Sequence, residues 1–218
     1  MVARAIERGL VCPASGSVER RADRTAGSLT FGCCCGARPA HPTVRRVLVA
    51  HGLILRPWDV RDIPSLTFHA NNRSVSRNLK DRFPYPYRVT DAEAWIAHCV
   101  CQTERPRSLA IEVDGQAVGG VGVDLLEDIH RLTAEIGYWL AEPLWGRGLA
   151  TTAVNTMTSY AFGTFGLERL QAMVFQGNVA SARVLEKCGY ALEGRLQRNV
   201  VKDGHVLDSL LYARLPKK

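Results

Sequence analysis

From Leu53 onward, apolar and polar positions fall into periods that mark successive elements. Leu53 to Trp58 reads as a first strand, and Asp59 can cap a helix through Ile63, Leu66 and Phe68, with Pro64 in or near its first turn. A loop rich in Asn, Arg, Pro and Tyr spans Asn71 to Tyr87. Thr90-Asp91-Ala92-Glu93 has the form of a capping box, in which the Thr90 hydroxyl bonds a first-turn N–H and Glu93 reaches back, so a helix is expected over Asp91 to Thr103. Leu109 to Val113 and Ala117 to Val123 read as a hairpin around Asp114-Gly115. Then come a strand from Thr133 to Leu140, a helix from Leu149 to Phe165, a strand from Leu167 to Phe175, and a helix from Val179 to Cys188 stopped by Gly189. Val200 and Leu207 to Leu215 flank Lys202-Asp203-Gly204-His205 as a last hairpin. Antiparallel turns together with one strand-helix-strand crossover imply an α/β (α+β mixed) domain, a mixed sheet covered by helices.

Residues 1–50 show neither period and mix Gly, Ala, Ser, Pro and Arg, which predicts a disordered or loosely attached segment ahead of a domain over residues 51–218. Composition agrees with that division. The chain has 218 residues, 46% of them hydrophobic, enough for one well-cored domain with an appendage. No run approaches the roughly 20 apolar residues of a membrane span. The opening stretch, Met1 to Arg8, is charged and has no apolar core behind it, so the cytoplasm is the expected location. Of the net charge of +7, five charges come from the first fifty residues, where Arg4, Arg8, Arg20, Arg21, Arg24, Arg38, Arg45 and Arg46 outweigh Glu7, Glu19 and Asp23. Without interleaved aromatics this basic segment reads as a solvated tail, and a nucleic-acid partner is not expected. The seven cysteines are an odd number and so do not close a disulfide framework. Cys33-Cys34-Cys35, with His41 nearby, is poorly spaced for one tetrahedral ion, so no metal is expected.

The run Pro143-Leu144-Trp145-Gly146-Arg147-Gly148-Leu149-Ala150-Thr151 lies between a strand and a long helix. Two glycines one residue apart let backbone N–H groups close on an anion, the helix start adds unpaired N–H groups and a positive dipole end, and Arg147 can add a charged contact. The run suits a pyrophosphate, and taken alone it suits a plain strand-to-helix turn equally well. Downstream stands Asn178-Val179-Ala180-Ser181-Ala182-Arg183-Val184-Leu185-Glu186-Lys187-Cys188-Gly189-Tyr190.

This second run resembles the closing motif of the GNAT N-acetyltransferases, and the first resembles their acetyl-CoA loop. Glu135-Ile136-Gly137-Tyr138-Trp139-Leu140 ahead of Trp145-Gly146-Arg147-Gly148 is most similar to the RimJ/RimL-type branch, which acetylates protein N-termini and assorted small amines. The resemblance runs from about Leu53 to about Leu215. It departs at Pro143, where GNAT loops often carry Gln or Arg. It implies a mostly antiparallel GNAT sheet flanked by helices, with the acetyl-CoA loop between a central strand and a helix. It also implies acetyl-CoA as co-substrate and a primary amine, a protein N-terminus or a small molecule, as acceptor; a non-catalytic acyl-CoA sensor is the reading from another class.

Acetyl transfer from a thioester to an amine needs a neutral amine, donors for the oxyanion and protonation of the leaving thiolate. By the resemblance, Glu135 is the first choice of base; a solvated strand-end carboxylate or an ion pair with an Arg is its bland alternative. Asp208 is the second acid, orienting the amine or only hydrogen-bonding across its hairpin, and Glu112 and Asp124 follow. Ser181 is the candidate for protonating the thiolate, with Tyr190 as a rival. Asn178 can both cap its helix and contact the pantetheine or phosphate arm. Main chain at Tyr138, Trp139 and Leu140 is implied for the pantetheine amides, and Trp145 to Ala150 for the phosphates. Trp58, Arg77 and Phe83 to Tyr87 are expected around the acceptor.

Overall fold

The computed structural model describes residues 48–50, 52–101 and 105–216. Its strands are β1 (Leu48–Ala50), β2 (Leu53–Arg56), β3 (Ser108–Val113), β4 (Gln116–Leu125), β5 (Thr133–Leu140), β6 (Arg169–Phe175), β7 (Ala191–Lys202) and β8 (His205–Arg214). Its helices are α1 (Ile63–Ala70), α2 (Arg73–Ser76), α3 (Val89–Val100), α4 (Leu149–Phe165) and α5 (Val179–Lys187). The described strands form one sheet in the order β1-β2-β3-β4-β5-β6-β8-β7. All neighbours are antiparallel except β5 and β6, which are joined through α4 and run parallel. The expected mixed, mostly antiparallel sheet is therefore present.

Alternation along the central strands fills a core on each face. Leu109 and Ile111 of β3, Val121 of β4, Ile136 of β5 and Leu170 of β6 pack with Met157 of α4 and Leu185 of α5. Ala110 and Ala117 face the other way, toward Trp58, Leu66 of α1, Tyr87 and Ile96 of α3. Burial of both faces is why these strands read as near-continuous apolar runs. The glycines of β4 serve the same packing: a Cβ at Gly119 would stand 2.5 Å from the Trp139 carbonyl oxygen.

Several expectations need correction. The first strand stops at Arg56, before Pro57, which has no ladder N–H to give. The helix expected from Asp91 starts at Val89, because the Asp91 carboxylate, and not the Thr90 hydroxyl, closes its first turn by accepting the Arg88 N–H at 2.7 Å. Inside the long loop, Asn72 caps the short α2 through its bond from the Ser74 N–H at 2.7 Å. β1 lies within the segment expected to be loosely attached, and pairs with β2 through Leu48–Leu55, Val49–Ile54 and Ala50–Leu53. β7 begins at Ala191, well before Val200, and its register against β8 shifts twice, between Leu192 and Gly194 and between Leu196 and Val200. The Cys33-Cys34-Cys35 cluster lies outside the described residues. Among the described residues no three metal-binding side chains cluster, and no helix is long and apolar enough to cross a membrane.

The entry to α1 is held by an ionic knot. Arg56 donates to both Asp62 oxygens at 2.7 Å, to Glu112 and to the Pro57 carbonyl at 3.1 Å. Asp62 also accepts the Asp59 N–H at 2.9 Å, while Asp59 accepts from the Arg61 N–H, so the capping role expected of Asp59 operates in the 3-10 turn that leads into α1. Removing the guanidinium would leave two carboxylates facing each other with little water. Arg56→Met should therefore destabilise the fold by about 3 kcal/mol, the lower end for breaking a buried pair, as read from urea unfolding.

Candidate active site

The parallel contact between β5 and β6 is short. Thr133, Ala134 and Glu135 pair with Arg169, Leu170 and Gln171, and there the pairing ends. Beyond it β5 stays with β4 as far as Leu140, and β6 stays with β8 as far as Phe175. The two strands thus diverge, and the backbone of Ile136 to Leu140 that faces the gap has no strand partner there. Trp145 donates its indole N–H to the Leu140 carbonyl at 2.7 Å, which folds the loop after β5 back against the strand end and occupies one of the backbone groups expected to serve a ligand.

Two helices start beside this opening. Gly146 and Gly148 both have φ of 77°, the left-handed region that glycine enters without strain, and Gly148 caps α4. The first helical bond runs from the Thr152 N–H to the Gly148 carbonyl at 3.0 Å, so the N–H groups of Leu149, Ala150 and Thr151 precede it. The first turn of α4 has no acidic residue, and Arg147 is exposed. Beyond the adjoining residues, no atom lies within 4 Å of where a Cβ would stand on either glycine. This is an open, donor-rich, positively biased cradle, and a pyrophosphate fits its chemistry. The second helix start is α5, where Asn178 accepts the Ser181 N–H on its side-chain oxygen at 3.2 Å.

Side chains of β5 serve the two faces in turn. Tyr138 points to the face of α4 and α5, packs against the larger core and places its hydroxyl 2.8 Å from Ser181 Oγ. Burial pushes the Tyr138 phenol well above its ordinary pKa, so it stays a neutral hydroxyl. Trp139 points the other way and meets the Phe83 ring edge-on at 5.5 Å. Glu135 shares that face and accepts from Lys80 at 2.6 Å. The base candidate and the serine therefore stand on opposite sides of the sheet, with the gap between them. Lys80, which the sequence reading did not connect to Glu135, holds one of its two carboxylate oxygens.

The remaining candidates are engaged elsewhere. Asp208 accepts the Arg198 N–H at 2.8 Å and the Arg195 guanidinium at 2.5 Å, bracing the shifted register of β7. Glu112 belongs to the Arg56 knot, and Asp124 pairs with Arg82 at 2.6 Å. The Tyr190 hydroxyl is buried against Thr158 at 2.7 Å. Trp58 and Tyr87 are core residues, and Arg77 is exposed. Phe83, Pro84 and Tyr85 line a cleft of about 290 Å³ with Arg73, Asp81 and Lys202, near the tip of the β7–β8 hairpin.

A family model described as an acetyltransferase (GNAT) domain matches residues 52–191. The chain belongs to the GNAT acetyltransferase family. The uncharacterized N-acetyltransferase YoaA of Bacillus subtilis is 36% identical over 98 residues, 45% of this chain and 55% of YoaA. The chain thus spans about half the length of that curated relative. RimJ of Mycobacterium smegmatis, solved in complex with CoA-disulfide, superposes with a TM-score of 0.66 at 28% identity, covering 75% of this chain and 81% of RimJ. RimL, a ribosomal L7/L12 alpha-N-protein acetyltransferase solved with coenzyme A, shares the fold with a TM-score of 0.69 at 22% identity, covering 78% and 97%.

In this GNAT domain the Arg198 N–H, then the Arg195 guanidinium, hold the Asp208 carboxyl below the usual carboxylate range. A depressed folded pKa contributes stability that is present above the unfolded value of about 4 and is lost as pH falls through the folded value. Asp208→Asn should therefore lower thermal stability at neutral pH and flatten its fall on the acid side. Melting curves of both proteins from neutral to strongly acid pH check this, and parallel curves would dismiss the brace.

Proposed function

We propose that the protein transfers the acetyl group of acetyl-CoA to a primary amine, and that the amine is a protein N-terminus. The observation that carries the reading is the gap between β5 and β6, with the glycine cradle of α4 and the capped start of α5 beside it. The α4 cradle, with Gly146, Arg147 and Gly148 and the N–H groups of Leu149 to Thr151, binds the pyrophosphate. Main chain of Tyr138, which faces the gap, takes the pantetheine amides, whereas the N–H and carbonyl of Trp139, also expected there, are turned to Gly120 of β4; Asn178 adds a contact as it caps α5. Acetyl-CoA supplies an acetyl group activated as a thioester. Glu135 approaches from the opposite face and takes the amine proton, on the oxygen that Lys80 does not hold or on the one it releases. Ser181 donates toward the leaving sulfur. The N-terminal acceptor is supported by the likeness to RimJ and by the RimJ/RimL-type run from Glu135 to Gly148.

A small-molecule amine is the second reading. It would use the modest cleft beside Phe83 and Tyr85, where Asp81 is paired with Lys202 and Asp203 with Arg73, so that an amine would compete with these cations for the carboxylates. Acetylation of a panel of N-terminal peptides, amino acids and polyamines separates the two. The reaction belongs in the cytoplasm, where acetyl-CoA and protein N-termini meet. The segment before β1 is proposed to be dispensable, so removal of residues 1–46 should leave turnover intact.

Two substitutions test the assignment. Gly148→Val puts a β-branched residue at a left-handed φ and a side chain in the cradle, and should abolish acetyl-CoA binding by calorimetry in a protein that still folds. Glu135→Gln should lower kcat by about 10²–10⁴-fold with little change in acetyl-CoA affinity. That loss should shrink as pH rises and more of the acceptor is already neutral; a wild-type rate at every pH would remove Glu135 from the mechanism.

A further inference from the structure

The Tyr138 hydroxyl makes two contacts, both to Ser181: 2.8 Å to Oγ and 3.1 Å to the carbonyl oxygen. The residues lie 43 apart in sequence, on the two sides of the gap between β5 and β6. A phenol has one proton. When Tyr138 donates it to the Ser181 carbonyl, the phenol oxygen can only accept from Ser181, and the serine proton is spent inside the pair. When Tyr138 turns its proton onto Oγ, the serine oxygen is already satisfied as an acceptor and its own proton is free to point into the gap. The Ser181 N–H is bound to Asn178 in either case, so the cap fixes the backbone and the tyrosine sets the hydroxyl.

We propose that Tyr138 is a positioning residue that aims the Ser181 hydroxyl at the sulfur of the acyl donor. The inference rests on the acetyltransferase reading above and assigns a side-chain role to a residue which that reading used through its backbone. When the C–S bond breaks, its electron pair stays on sulfur, and Ser181 donates a hydrogen bond to the thiolate without giving up its proton. The proton lost by the amine goes to the base, so the step balances with CoA leaving as thiolate. A serine alkoxide is far more basic than a thiolate, which makes hydrogen-bond donation the sound role for Ser181 and makes the direction of its O–H bond the quantity that matters. Burial keeps Tyr138 protonated, so it orients this proton and is not its source.

The test uses the full chain with CoA and acetyl-CoA as probes. The thiol of bound CoA is titrated by the ultraviolet absorbance of its thiolate, in the wild type, Tyr138→Phe, Ser181→Ala and the double variant. A hydrogen bond to the thiolate lowers the bound thiol's titration point, so each single variant should raise it by about one pH unit and the double variant no further. In parallel, kcat should fall about 10–100-fold in either single variant, again without further loss in the double, while acetyl-CoA affinity holds. A tyrosine that only clips α5 to β5 would lower the melting temperature and leave the bound-thiol titration where it was, and that result overturns the inference. So does a double variant whose loss is the product of the two single losses. Should Tyr138→Phe not fold, ring-fluorinated tyrosine, a stronger donor, should lower the titration point of the bound thiol, and no movement is again a refutation. A wild-type chain that binds no acetyl-CoA would bring down the proposed function itself, whereas binding and transfer with a silent Tyr138→Phe would bring down this inference alone.

Discussion

Everything the site offers depends on a parallel strand pair that lasts three residues. Were β5 and β6 paired along their whole length, the backbone of Ile136 to Leu140 would be consumed by a ladder and nothing could enter between them. They can separate because each has a better partner on its far side, β4 for β5 and β8 for β6. Both strands keep one full ladder, so the sheet stays continuous while one edge of each is released. The helix between them, α4, starts close to where β5 ends, which sets its unpaired N–H groups beside the opening. An opening lined largely by main chain is the outcome, and it asks little of the side chains apart from two glycines.

The same divergence divides the chemistry between two faces. On one lie Tyr138, Ser181 and the helix starts, all uncharged or positively biased. On the other lie Glu135 and Lys80, with Asp81, Arg82 and Phe83 following in the segment that covers them. Period-two alternation of β5 alone accounts for this split, since 135 and 139 share one face and 138 takes the other. The Glu135 carboxylate and the Ser181 hydroxyl are thereby kept on opposite faces, with the opening between them.

How much of this was legible in the sequence follows from how local the cause is. The hairpin at Asp114-Gly115, the strand from Thr133 to Leu140 and the helix from Leu149 to Phe165 were readable because their signals, a turn dipeptide, an apolar run and a glycine stop, lie within the elements themselves. β7 was half missed because nearly every residue from Ala191 to Asn199 is exposed and leaves no alternation to find. The start of α3 was misplaced because two acids and a threonine compete for one cap, and only backbone geometry decides which closes the turn. The motif residues around Gly146 and Asn178 stand where the resemblance put them, by the two helix starts. Their partners were invisible: Lys80 reaches Glu135 across 55 residues and Tyr138 reaches Ser181 across 43, and no spacing rule joins such positions.

The irregular course of β7 has a bearing on how the protein behaves in company. A strand at the rim of a sheet shows a row of free donors and acceptors to any neighbouring chain that can lie straight against it. Two shifts of register, a left-handed Arg198 and the exposed charged side chains of Glu193, Arg195 and Arg198 mean that this rim is neither straight nor apolar. An incoming strand would find a few bonds in register and then a kink or a charge. Leu192, Leu196 and Val201 are exposed along it, yet they are interrupted often enough that the longest open edge of the sheet is also a poor template for aggregation.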